Sequence, residues 1–358
     1  MLPGEDRCGI GGVDPSSGDR GRRRRMRLAS MIVGGQRRFG RFDPSGAGTS
    51  QAESGGGNLG SFAPLERGLD PRMLLDPDAE SALAFDRSVQ VDAGEPFEVP
   101  VPVASVRDFI TFEQHTAGSL RAVSGTSDIP SAWFEAPVFY FTNPHALIGS
   151  GHPVPMPPGS ERLDFELEVA AVISRDGFNL SVDEAWDHIF GFTVFNDWSA
   201  RDLQTREMKV GLGPTKGKDT ATTVGPVVVS LGELAPRRQG DRFDLRMDVA
   251  VNGTPIAADS LANMAWSFAE LVAYASRGTW VRQGDLIGSG TAGGGCLAEF
   301  WGWYGQDVLP AIGVGDTVTM TVEDIGTISN QVVAGPELHP IPEARRIPWK
   351  QPPLPEQG

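Results

Sequence analysis

The segment Arg162-Leu163-Asp164-Phe165-Glu166-Leu167-Glu168-Val169 alternates polar and apolar residues, then continues through Ala170-Ala171-Val172-Ile173 without a polar break. Alternation with period two is the mark of a β-strand, in which residues two apart share a face. Asp164, Glu166 and Glu168 are therefore expected to project together, opposite Leu163, Phe165, Leu167 and Val169. Three like charges stacked on one face destabilise a strand unless solvent or a cation compensates them. By itself the pattern also fits a solvated edge strand, but the apolar continuation argues for a buried one. Carboxylate oxygens without His or Cys favour hard ions, so Mg2+ or Mn2+, with Ca2+ third, are expected over Zn2+.

A second acidic element follows. Gly191-Phe192-Thr193-Val194-Phe195 reads as a buried strand and ends in Asn196-Asp197-Trp198-Ser199-Ala200-Arg201-Asp202-Leu203-Gln204. Polar groups at the end of a buried strand are where sites are commonly built. Asp197, Arg201 and Gln204 fall at i, i+4 and i+7, one face of a helix if the strand turns into one here. The same spacing fits an ordinary helix start with Asp197 as cap and Arg201 as its ion-pair partner.

The rest of the chain reads as strands with few helices. Its 45 Gly and 28 Pro imply turns and short strands. Phe243, Leu245, Met247, Val249 and Val251 alternate up to Asn252-Gly253, a strand followed by a hairpin turn, and Val318, Met320 and Val322 alternate likewise. Ser181 with Glu184 forms a capping box before Ala185-Trp186-Asp187-His188-Ile189-Phe190. Ser260 is expected to cap a second helix, with Met264, Phe268, Leu271, Val272 and Ala275 on one face and Gly278 ending it. The expected organisation is a disordered extension over 1–25, a small N-terminal domain over 26–100, a catalytic domain over 101–345 and a tail over 346–358. Met26 is a candidate natural start.

Charge and cysteine content exclude several classes. A net charge of −15 argues against nucleic acid, which needs clustered Lys and Arg. An anionic ligand would need a local positive site. The two cysteines, Cys8 and Cys296, imply no disulfide framework and fit a reducing cytoplasm. No apolar run of about 18 residues suggests a membrane span.

Four segments, in this order and spacing, resemble the fumarylacetoacetate hydrolase family, in its acylpyruvate hydrolase-like bacterial branch. They are Arg162-Leu-Asp-Phe-Glu-Leu-Glu, Phe195-Asn-Asp-Trp-Ser-Ala-Arg-Asp-Leu-Gln, Gly213-Pro-Thr-Lys-Gly-Lys-Asp and Gly288-Ser-Gly-Thr-Ala-Gly-Gly-Gly-Cys. The resemblance spans about Val106 to Val333. It implies a mixed β/α, β-dominated fold, a β-roll of mixed sheets with a few packed helices, assembled as a homodimer. It implies metal ligation by Asp108, Glu166, Glu168 and Asp197. His115, seven residues after Asp108, would be the general base and Glu299 the carboxylate that orients it. Lys218, with Arg201 and Gln204, would face the substrate, and Thr222 would stand near metal and substrate. Lys216, out of phase, is expected at the surface. In Pro137-Val-Phe-Tyr-Phe-Thr-Asn-Pro, Tyr140 and Asn143 are candidate ligand contacts, although Tyr140 fits core packing slightly better.

The activity so implied is metal-dependent hydrolysis of a carbon–carbon bond in a small anionic β-diketo or 2-oxo acid. Water would be activated by His115, and the ion would stabilise the enolate leaving group. Decarboxylase, isomerase and hydratase chemistry share the motif. Gly288-Ser289-Gly290-Thr291-Ala292-Gly293 also matches the glycine fingerprint of dinucleotide-binding oxidoreductases, but Cys296 to Trp303 show no amphipathic helical period to complete it.

Overall fold

A computed structural model describes residues 25–45 and 58–352. The expected extension up to residue 24, Cys8 and the end of the tail at 353–358 lie outside the described residues.

The apolar run forms the middle of a large sheet. Its strand, Leu167–Ile173, is buried at all seven positions. In chain order the principal strands are β1 Arg27–Val33, β2 Gln36–Pro44, β3 Asn58–Pro64, β4 Val89–Asp92, β5 Val106–Phe109, β6 Phe139–Thr142 and β7 Leu167–Ile173. They continue with β8 Ile189–Asp197, β9 Thr222–Ser230, β10 Arg246–Val251, β11 Thr254–Ser260, β12 Leu286–Gly288, β13 Thr317–Val322 and β14 Gly326–Val333. The main sheet has the order β4-β3-β2-β1-β9-β8-β7-β12-β5-β6, with the short strand Leu147–Ile148 alongside β9. A second sheet runs β11-β10-β13-β14 and ends on Val154–Pro155. The expected β-dominated mixed architecture is therefore present.

Register in the main sheet places the candidate site residues. Asp108 on β5 pairs with Tyr140 on β6 and with Gly288 on β12; Gly288 pairs with Ala170 on β7. On the other side of β7, Glu168 faces Phe195 on β8, and Asp197 at the end of β8 faces Thr222 on β9. Because residues two apart share a face, Glu168 and Ala170 carry the same surface of β7 toward Asp108.

The four N-terminal strands extend this sheet, since β1 pairs with β9 through Arg27 and Val229. Leu28, Leu65, Leu74 and Val99 from that region share one buried cluster with Val106, Val172 and Val228. The sheet thus crosses residue 100 without a break.

The hairpin at Asn252-Gly253 forms as expected, with φ of 52° and 76°. Positive φ at both central residues matches the twist of the flanking strands, which is why Asn-Gly serves there. β13 alternates its burial through Val318, Met320 and Val322. Two helix expectations need correction. Ser260 caps only a 3-10 turn, Leu261–Asn263; the helix starts later, at Phe268–Ala275, with its capping box from Ser267 and Glu270. The Ser181 capping box is present, but its helix, Val182–Ala185, lasts one turn and Ile189 already belongs to β8. After Ser181, burial of Ile189 and its neighbours in β8 overrides the helical pattern.

Three helices carry the site: α1 Glu113–Ser124, α2 Arg201–Met208 and, after Phe268–Ala275 as α3, α4 Leu297–Tyr304. α1 and α4 cross closely. A Cβ on Gly118 would stand 2.9 Å from Glu299 Cγ, and one on Gly302 would stand 2.5 Å from the Gly118 carbonyl oxygen.

Candidate active site

The sheet register gathers carboxylates. Asp108, Glu166 and Glu168 each offer an oxygen within 4.8 Å of the others, and all are buried. Asp197 stands beside them, its Oδ2 accepting from Lys218 Nζ at 2.8 Å and from the Tyr140 hydroxyl. Lys218 Nζ also donates to Glu166 Oε2 at 2.5 Å. Tyr140, expected slightly more often in the core, is thus part of the cluster.

The electrostatics of this cluster are unbalanced. Burial, then the Asp197 charge, pushes the Asp108 carboxyl well above the usual range; burial, then Asp108 and Glu166, does the same to Glu168. Burial raises Asp197 against the pull of Lys218. Glu166 moves the other way: burial would raise it, but Lys218 and Arg201 together hold it well below the ordinary carboxylate range. Burial would lower Lys218, yet Asp197 and Glu166 raise it, so it stays an ammonium. Asp108 Oδ1, Asp197 Oδ1 and Thr222 Oγ1 are buried without a hydrogen-bond partner. Orphaned, mutually repelling carboxylate oxygens fit a hard divalent cation, which would satisfy them and relieve the repulsion.

Glu168 is held from the glycine-rich turn after β12. Gly290 N–H donates to its Oε2 at 3.1 Å and Thr291 Oγ1 to its Oε1 at 3.3 Å. Gly290 has a φ of +78°, and a Cβ there would sit 2.4 Å from the Phe109 carbonyl oxygen; a Cβ on Gly288 would sit 2.4 Å from Asp108 Oδ1. The glycines let the turn close against the carboxylates. Among the described residues no dinucleotide-type crossover accompanies it: the chain after the turn runs through the helix Leu297–Tyr304 into β13 of the second sheet, not into a strand parallel to β12.

His115 lies on the first turn of α1, where its Nδ1 is 2.9 Å from Glu299 Oε1 on α4. Gly294 N–H donates to both Glu299 oxygens, at 3.0 and 2.9 Å. With Nδ1–H donated to the carboxylate, Nε2 is the nitrogen left as acceptor; Ser119 Oγ stands 3.1 Å from it. The imidazole is near enough to Glu166 for its charge to bear on that carboxyl.

Arg201 is not paired with Asp197. Its Nε donates to Asp164 Oδ2 and its NH2 to Glu166 Oε1, both at 2.8 Å, and its NH1 to Gln204 Oε1 at 3.0 Å. Nor does Asp164 join the metal-ligand candidates. The strand breaks after Leu163–Asp164, which pairs with Ser199–Ala200, and Asp164 accepts from the backbone N–H of Leu297 and Ala298 at the start of α4. Those donors and Arg201 compensate its charge, so it needs no ion. This link between Arg201 and the helix of Glu299 has no signal in spacing alone.

The remaining candidates divide. Lys216 is exposed and pairs with Asp219, as expected. Asn143 is occupied locally: its Oδ1 accepts from His145 N–H and its Nδ2 donates to Asp219. Cys296, unremarked among the expected site residues, lies buried 3.7 Å from His115 Nδ1.

Residues 106–333 match the family description "Fumarylacetoacetate (FAA) hydrolase C-terminal". The chain belongs to the fumarylacetoacetate hydrolase family, whose members include hydrolases, a tautomerase and isomerases. It is 31% identical to oxaloacetate tautomerase YisK of Bacillus subtilis over 237 residues, 65% of this chain and 71% of that one. It is 30% identical to fumarylacetoacetase of Arabidopsis thaliana over 293 residues, 68% of each chain. The 2-hydroxyhepta-2,4-diene-1,7-dioate isomerase of Mycobacterium marinum superposes with a TM-score of 0.61 at 24% identity, covering 86% of this chain and 98% of that one. Among the described residues no helix is long and apolar enough to cross a membrane.

Proposed function

We propose that this protein is a divalent-metal-dependent hydrolase that cleaves a carbon–carbon bond in a small β-diketo or 2-oxo acid of fumarylacetoacetate or acylpyruvate type. The observation that carries this reading is the buried His115–Glu299 pair beside the carboxylate cluster. Hydrolysis needs a base to activate water, whereas simple decarboxylation does not.

Mg2+ or Mn2+, held by Asp108, Glu166, Glu168 and Asp197, would supply Lewis-acid polarisation of the substrate's oxygens when bound. Lys218 and Arg201, both kept charged, bind the substrate's anionic groups, and Gln204 and Tyr140 fix its orientation. His115 Nε2 takes a proton from water, and the water oxygen adds to the distal carbonyl carbon. Glu299 holds the imidazolium that results. When the adduct collapses, the carbon–carbon bond breaks, its electron pair goes to the departing carbon, and His115 returns the proton there. The products are two carboxylic acids or a carboxylic acid and a ketone. The assembly is taken to be a homodimer, which equilibrium sedimentation would check.

A second reading, enol–keto tautomerisation or decarboxylation of a 2-oxo acid at the same cluster, is favoured by the 31% identity to a tautomerase. Product analysis with acylpyruvates, fumarylacetoacetate and oxaloacetate, each with Mg2+, Mn2+ and Ca2+ in turn, separates the two. Stoichiometric cleavage of a diketo acid is expected, and His115→Ala should lower it by about 10²–10⁴-fold with Mn2+ affinity little changed. Turnover of oxaloacetate alone, or full cleavage by His115→Ala, would overturn the hydrolase reading.

A further inference from the structure

Water activation by His115 and Glu299 makes no use of the thiol packed against them. Cys296 Sγ is 3.7 Å from His115 Nδ1 and 3.9 Å from Glu299 Oε1, while the nitrogen and the oxygen are 2.9 Å apart. All three residues are buried. Burial, then the neighbouring Asp164, pushes the Cys296 thiol well above its usual range, so it is a poor nucleophile.

The triangle has the dimensions of a metal site. A point in its plane lies about 2.1 Å from all three atoms, against roughly 2.0–2.1 Å for zinc–nitrogen, 2.0–2.2 Å for zinc–oxygen and 2.3 Å for zinc–sulfur bonds. An ion slightly out of the plane meets all three lengths. One nitrogen, one sulfur and one oxygen select Zn2+ or Co2+, whereas the all-oxygen cluster of Asp108, Glu166 and Glu168 selects Mg2+ or Mn2+. Two neighbouring sites therefore have opposite preferences.

We propose that His115, Cys296 and Glu299 form a second, soft-metal site, and that Zn2+ bound there switches the enzyme off while the hard-metal cluster stays loaded. Binding expels the thiol proton to solvent and puts the ion on His115 Nδ1. The single proton of the neutral ring then resides on Nε2, so the nitrogen that would accept a proton from water becomes a donor. The inhibitory consequence rests on the hydrolytic reading above; the site itself does not.

The test uses the full chain saturated with Mg2+. Added Co2+ should produce a near-ultraviolet thiolate-to-cobalt charge-transfer band, which the all-oxygen cluster cannot give. Zn2+ should abolish that band and lower diketo-acid cleavage by about 10²-fold or more. Cys296→Ser and Cys296→Ala should both lose the band and the zinc inhibition while keeping the Mg2+-dependent turnover. No band in the wild type, or an undiminished band in both variants, overturns the site. A band without inhibition leaves the site standing and removes His115 from the hydrolytic step.

Discussion

Asp164 shows how much a single buried carboxylate can organise. It is fully buried and joins the Arg201 guanidinium to the first N–H groups of α4. An anion at a helix N-terminus satisfies donors that have no partner within the helix. Removing one member of a buried ion pair strands the other, at a cost of about 3–5 kcal/mol. Asp164→Ala is accordingly expected to lower unfolding stability by about that amount, read as a shift of the urea midpoint. A shift below about 1 kcal/mol would mean that water replaces the carboxylate. At this scale the sequence showed the acidic alternation but not which acid faces which partner. The pattern put Asp164, Glu166 and Glu168 on one face; the interruption of the strand at Phe165 turned Asp164 to a helix start more than a hundred residues away.

Elements matter here through close approach. α1 and α4 meet at Gly118 and Gly302, and that contact sets the His115–Glu299 distance. The turn after β12 closes through Gly290 onto Glu168. The two contacts should therefore fail in different ways. Gly118→Ala places a methyl 2.9 Å from Glu299 Cγ, so cleavage should fall while Mn2+ affinity stays near wild type. Gly290→Ala places one 2.4 Å from a backbone oxygen at positive φ, so the donors to Glu168 move away. Loss of support behind a ligand costs about 10–100-fold in metal affinity. Calorimetric titration of Mn2+ against both variants checks this, and equal losses in the two would contradict the division. The glycine fingerprint was visible in the sequence, but its job was not, since a run of glycines says that backbones approach without saying which.

At the scale of the whole molecule, the sheet collects acids that solvent cannot neutralise, and with the proposed ion held there metal binding would be coupled to pH. Asp108 and Glu168 are raised in the folded state, first by burial and then by neighbouring carboxylates. A raised acid favours the folded protein fully below its unfolded value, near about 4, and loses that contribution as pH climbs through the raised value. Glu166, held low by Lys218 and Arg201 against burial, acts oppositely: its contribution is present above the unfolded value and lost only in strong acid. A divalent ion requires ionised ligands and displaces the protons on Asp108 and Glu168. The rise in melting temperature caused by saturating Mn2+ is thus expected to grow as pH climbs above the ordinary carboxylate range, with proton release seen in buffers of different ionisation enthalpy. A rise independent of pH would show that the ligands are already ionised in the metal-free protein.

By itself the sequence determined the strand-rich class and the Asn252-Gly253 hairpin, and its spaced motifs named candidate site residues that the fold then brings close together. Period, turn chemistry and motif order are local properties, legible along the chain. It misplaced one helix cap, taking Ser260 for Ser267, because both serines precede apolar residues and only packing chooses between them. Only the tertiary structure decided that the N-terminal strands share a sheet with the catalytic segment. It alone set Tyr140 on Asp197, Asp164 on Arg201 and Cys296 beside His115. Those pairings join residues far apart in the chain, and their partners are fixed by sheet register and helix crossing, which no local pattern encodes.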